Sequence, residues 1–86
     1  EEELGRPDSE YAVSLLNAVA KDPTGARRDT LLQVLSERIP EPFAAEERLR
    51  YLMDVLEIDG YLVEADGRLD FLSPLLKEFW RRRVMP

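Results

Sequence analysis

The hydrophobic period of this 86-residue chain switches at Gly60 from helical to strand-like, and that switch constrains the fold more than any other feature. Tyr61-Leu62-Val63 is rich in strand-favouring residues, and Leu69-Asp70-Phe71 alternates apolar with polar. Between them Asp66-Gly67 is a strong signal for a two-residue turn, because that turn needs positive φ at both central positions. A two-residue loop sets Leu62 opposite Phe71 and Glu64 opposite Leu69, whereas a longer loop would shift that register. The sequence therefore predicts a short β-hairpin that shares one interior with the helices around it.

Ahead of Gly60 the apolar residues fall at helical spacing. Ala12, Val13, Leu16, Val19 and Ala20 predict a first helix from about Ser9 to Lys21, capped by Asp8 or Ser9 and stopped by Asp22-Pro23. After the Thr24-Gly25 turn, Leu31, Leu32, Leu35 and Ile39 mark one face of a second helix that ends near Arg38, with Asp29 in its first turn. The loop Pro40-Glu41-Pro42-Phe43 follows, with Phe43 expected to pack inward as a third helix begins near Ala44. Leu49, Leu52, Met53 and Leu56 form its apolar stripe, and Gly60 suits a left-handed C-terminal cap. Beyond the hairpin, Ser73 caps a closing helix with Pro74 in its first turn and an apolar face of Leu75, Leu76, Phe79, Trp80 and Val84. The opening residues 1–7 read as an acidic tail or linker end ahead of a domain over residues 8–86. Three helices, a hairpin and a closing helix make a mainly α fold with a small β-hairpin, an α+β domain of the winged helix-turn-helix kind with an added C-terminal helix.

Composition narrows the function. At 44% hydrophobic and 35% charged residues the chain has enough apolar surface to fold, and at this length it has room for one core. Cysteine and histidine are both absent, which removes disulfides, thiol nucleophiles, the usual general base and the common nitrogen and sulfur metal ligands together. No catalytic residue, metal ligand or cofactor site is expected. The Glu46-Glu47 pair is read as favouring the dipole at a helix start, and Glu1 to Glu3 as a solvated run. No stretch approaches the ~20 apolar residues of a membrane span. With no cysteine and no leader, a reducing, cytoplasmic setting is expected.

The net charge of −6 is unevenly spread: residues 1–22 carry −4, 24–43 balance, 44–59 carry −3, 60–72 carry −2, and 73–86 carry +3. The third helix sets Glu46, Glu47, Asp54, Glu57 and Asp59 against only Arg48 and Arg50, the wrong sign for a helix laid against phosphates.

Residues 59–83, DGYLVEADGRLDFLSPLLKEFWRRR, resemble the C-terminal winged-helix segment of bacterial and archaeal ATPases of the AAA and STAND groups. The resemblance is carried by Gly60, by Phe71 closing the second strand, by Ser73-Pro74, by Phe79-Trp80 and by Arg81 to Arg83. Asp70 stands where members of those groups often place a basic residue. The resemblance implies a nucleotide-binding domain ahead of residue 1 and a non-catalytic module acting through protein or interdomain contact. These residues hold no glycine-rich phosphate loop of their own.

Two sets of residues are candidates for contact. Phe79, Trp80, Arg81, Arg82 and Arg83 make an interaction face for the upstream ATPase domain, another protein or a second copy. Phe79 and Trp80 project about 100° apart, so they either fill the core against the first helix and the hairpin, or leave one ring in an exposed patch. The alternative is a DNA-binding winged helix reaching phosphates through Arg27, Arg28, Arg48, Arg68 and Lys77 with the terminal arginines, Arg68 acting from the hairpin tip. Against that, arginines in a last turn complement the helix dipole and pair with neighbours such as Glu78.

Overall fold

The computed structural model describes residues 8–84. The acidic opening segment read from residues 1–7 lies outside them. Helix α1 runs Asp8–Lys21, a two-residue strand β1 covers Ala26–Arg27, and α2 (Arg28–Ser36) follows it directly. Helix α3 is Pro42–Ile58, strands β2 (Leu62–Ala65) and β3 (Arg68–Phe71) form the hairpin, and α4 (Pro74–Phe79) continues as a wider π-helical stretch, Trp80–Val84. The molecule is mainly helical with one small antiparallel sheet of strand order β1-β3-β2.

The hairpin has the predicted register, Leu62 opposite Phe71 and Glu64 opposite Leu69. Asp66 and Gly67 both have positive φ, at 55° and 76°, the pair of values that lets a two-residue turn follow the twist of its strands. Gly60 has φ 85° just past α3, as a left-handed cap requires. The Ser73 hydroxyl accepts from the Leu76 amide at 3.2 Å, and Pro74 occupies the first helical position.

β1 is not apparent in the sequence pattern. It exists because β3 has a second edge, on which Ala26 pairs with Leu69 and Arg27 with Arg68. Gly25 makes the approach possible. Its φ is +88°, and a Cβ there would sit 2.6 Å from the Leu69 carbonyl oxygen, closer than any side chain tolerates.

Leu15, Leu16 and Val19 of α1, Leu31 and Leu35 of α2, Leu49, Leu52 and Leu56 of α3, and Leu62, Leu69 and Phe71 of the hairpin close one core. No described polar or charged side chain is buried within it. Three expectations are corrected. Val13 is exposed and Leu15 takes its place, because the buried face of α1 is centred one residue further round. Phe43 does not pack inward and is 69% exposed. The reason is that α3 begins two residues early: Pro42 takes the first helical position, where no amide donor is needed, and the Glu41 carboxylate caps the Ala44 amide at 2.7 Å. Phe43 is thereby fixed on the outer face. The same shift moves Glu46 out of the first turn, where it pairs with Arg28 at 2.6 Å rather than with the helix end. The closing segment buries no residue completely; Leu76 and Trp80 pack against the core while Leu75 is 82% exposed.

Candidate interaction surface

The segment from Ser73 to Val84 is held to the body at two points and turns the rest of its side chains outward. The first point is Trp80. Its Nε1 donates to Asn17 Oδ1 of α1 at 2.7 Å, and its ring lies 6.1 Å from that of Phe71 at an interplanar angle of 48°. Trp80 alone thus spans α1 and β3, so of the two readings of the Phe79-Trp80 pair the structure takes the one that leaves one ring exposed. Phe79, about 100° further round the helix, is 51% exposed.

The second point is Lys77. Its Nζ donates to the Asp22 carbonyl at 2.7 Å, to the Pro23 carbonyl at 3.3 Å and to Asp70 Oδ1 at 2.8 Å, with the side chain only 14% exposed. An ammonium has three donors, and all three are used here. Lys77 therefore clamps α4 to the α1–β1 loop and to β3, and it is not presented to solvent as a phosphate contact.

Outward-facing residues form a mixed apolar and basic strip. Leu75 and Phe79, four apart on the closing helix, are both exposed. Arg81, Arg82 and Arg83 follow, also exposed. Arg82 pairs with Glu78 at 2.8 Å across one turn, as expected for last-turn arginines. Arg81 and Arg83 make no ion pair among the described residues.

The structure disperses the residues of the nucleic-acid alternative. Arg28 is taken by Glu46. Arg48 pairs with Asp8 at 3.1 Å and stands over the Tyr51 ring at 5.9 Å. Arg68, beside the turn, donates to the Gly25 carbonyl at 3.3 Å. Only Arg27, its cross-strand partner, has no side-chain partner among the described residues. The exposed face of α3 carries Phe43, Glu47, Arg50, Tyr51, Asp54 and Ile58, a strip of apolar and mainly acidic residues.

Two carboxylates are shifted. The Thr24 amide and hydroxyl hold Asp22 below its ordinary value, with Arg68 and Lys77 adding to the effect. The hydrogen bond from Arg28 holds Glu46 below its own. In both, ionisation is favoured by structural bonds, and neither is poised as an acid or base near neutrality.

Among the described residues no group of acids could hold a metal ion, and no helix is long and apolar enough to cross a membrane. Compared with protein families, with curated proteins and with solved structures, the chain matches none.

Sequence reasoning placed Phe79, Trp80 and Arg81 to Arg83 on this surface, but Trp80 packs inward, and it missed Leu75, which it assigned to the apolar face of the closing helix. The missed signal was its i, i+4 spacing from Phe79 on one face of the helix.

Proposed function

We propose that this chain is a winged-helix module without catalytic activity, the C-terminal domain of an AAA- or STAND-type ATPase, working by protein or interdomain contact through its closing segment. The element order and the β1-β3-β2 sheet support the winged-helix reading. The observation that carries the contact reading is the closing segment itself: it is clamped through Lys77 and Trp80, yet it turns Leu75, Phe79 and three consecutive arginines outward. A strip needed only for stability would be expected to bury its large apolar residues. An apolar strip ending in arginines suits a partner with an apolar groove bordered by acids.

The test is association with the ATPase core of the same polypeptide, supplied in trans and followed by crosslinking and gel filtration. Leu75→Ser and Phe79→Ser should leave the melting temperature nearly unchanged, since exposed positions usually move stability by less than about 0.5 kcal/mol, and should weaken association severalfold. Undiminished association in the double variant refutes the assignment of the surface. DNA binding through Arg27, Arg28, Arg48, Arg68 and Lys77 is the competing reading. It requires affinity for duplex DNA that falls steeply with salt, whereas an acidic chain in which Arg28, Arg48, Arg68 and Lys77 are engaged should show none.

A further inference from the structure

β2 is an outer edge of the sheet, because β3 lies between it and β1. The Leu72 amide donates to the Tyr61 carbonyl at 2.9 Å, one step below the Leu62–Phe71 pair. Bonded and non-bonded pairs alternate in an antiparallel ladder, so Val63–Asp70 and Ala65–Arg68 exchange the ladder bonds while Leu62 and Glu64 aim their N–H and C=O groups away from β3. Among the described residues no other backbone group meets them. They open into a groove of about 400 Å³ lined by Glu57 of α3, by Leu62, Val63 and Glu64, and by Leu72.

Open edges are usually blunted by being very short, by charged side chains and above all lysine, by proline, by a bulge or by a covering element. β2 is short, at four residues, and its single charge is Glu64; it has no lysine or proline and pairs with β3 in unbroken register. The charges at the groove are both negative, Glu57 and Glu64, and neither forms an ion pair among the described residues. The two faces of the edge differ in chemistry. Leu62 and Glu64 project to the side that faces α3, while Val63 and Leu72 project to the other and are 41% and 57% exposed.

We infer that this edge receives an extended, cationic segment of a partner protein by strand addition, with alternate residues basic toward Glu57 and Glu64 and apolar toward Val63 and Leu72. Main-chain bonds to Leu62 and Glu64 supply the pairing, and the two carboxylates select the sign of the ligand. This chain's own charged runs do not fit: Glu1 to Glu3 have the wrong sign, and Arg81 to Arg83 are consecutive rather than alternating. The inference does not depend on the role of the closing segment.

The probe is a blocked peptide, Arg-Val-Arg-Val-Arg, titrated into the isotope-labelled chain and followed by amide shifts and hydrogen exchange. The expected result is that the largest shifts fall on residues 62–65 and that exchange of the Leu62 and Glu64 amides slows at least about tenfold. Glu57→Gln with Glu64→Gln, both at exposed positions, should weaken binding about three- to tenfold with the amide spectrum otherwise retained. A peptide of the same charge, N-methylated at its central residues, should not bind. Three results overturn the inference: no shift up to about 1 mM peptide, equal binding of the N-methylated peptide, or shifts centred away from β2. A dimer that occupies β2 and is lost on Arg81→Ala, Arg82→Ala and Arg83→Ala would assign the edge to a second copy and overturn it as well.

Discussion

Replacing Lys77 by methionine keeps most of the aliphatic stem and deletes the ammonium, so it isolates the three bonds that fasten α4 to the body. A hydrogen bond involving a charged group contributes about 1.5–3 kcal/mol net, and here two are short while the third, at 3.3 Å, is weak. The Asp70 carboxylate is 38% exposed, so water screens that pair and its separate contribution is about 1 kcal/mol or less. The Asp22 and Pro23 carbonyls recover some hydration once the ammonium is gone, which keeps the total near about 2 kcal/mol. A chain of 86 residues has on the order of 4–13 kcal/mol in all. The expected change is therefore a large fraction of its stability, and a fall in melting temperature of about 8–16 °C.

Urea unfolding followed by Trp80, the chain's single tryptophan, measures this directly. The midpoint should fall with no change in the slope, because the surface exposed on unfolding is almost the same. Asp70→Asn should cost less than Lys77→Met, since the ammonium keeps both carbonyls. The double-mutant cycle should give a coupling of about 1 kcal/mol or less. A loss below about 0.5 kcal/mol for Lys77→Met would mean that the ammonium is solvated rather than clamped, and the account of how the closing segment is fixed would fail.

Gly25→Ala should cost at least about 2 kcal/mol, because left-handed strain of about 1–2 kcal/mol adds to a backbone collision with the Leu69 carbonyl; Gly67→Ala, with open space around it, should cost only the strain. Equal losses at the two sites in chemical denaturation would remove the argument for close β1–β3 approach. Trp80→Phe should lose about 1–2 kcal/mol through the unpaired Asn17 amide, and Asn17→Ala in that background should add less than it does alone. Glu46 and Asp22 have folded pKa values below their unfolded ones, so the stability they contribute is full above the ordinary carboxylate range and is lost as pH falls through the depressed folded values. Glu46→Gln should accordingly be less stable than the parent at neutral pH and converge with it in acid; parallel acid-unfolding curves would contradict the Arg28–Glu46 bond.

The local signals in this chain were strong where short-range chemistry has few solutions. Asp66-Gly67 admits one tight turn, and the turn length then fixes the Leu62–Phe71 register by parity. Gly60 and Ser73-Pro74 likewise mark their helix ends because left-handed φ, a hydroxyl cap and a missing amide donor are properties of single residues. Phe43 was misplaced because two prolines were read as loop, although proline at the first helical position is as compatible with a helix start as with a turn.

What the amino-acid order determined by itself was the succession of helices, the hairpin and its register, and the concentration of positive charge after Ser73. Only the tertiary structure decided that Ala26–Arg27 becomes a strand, since two residues have no period and pair solely because β3 offers a second edge. Packing likewise separated the two neighbouring rings, drawing Trp80 to Asn17 and Phe71 and leaving Phe79 outside. It also turned Lys77 from a surface cation into a clamp, because its three acceptors come from residues 22, 23 and 70, which share a neighbourhood only after the core has closed.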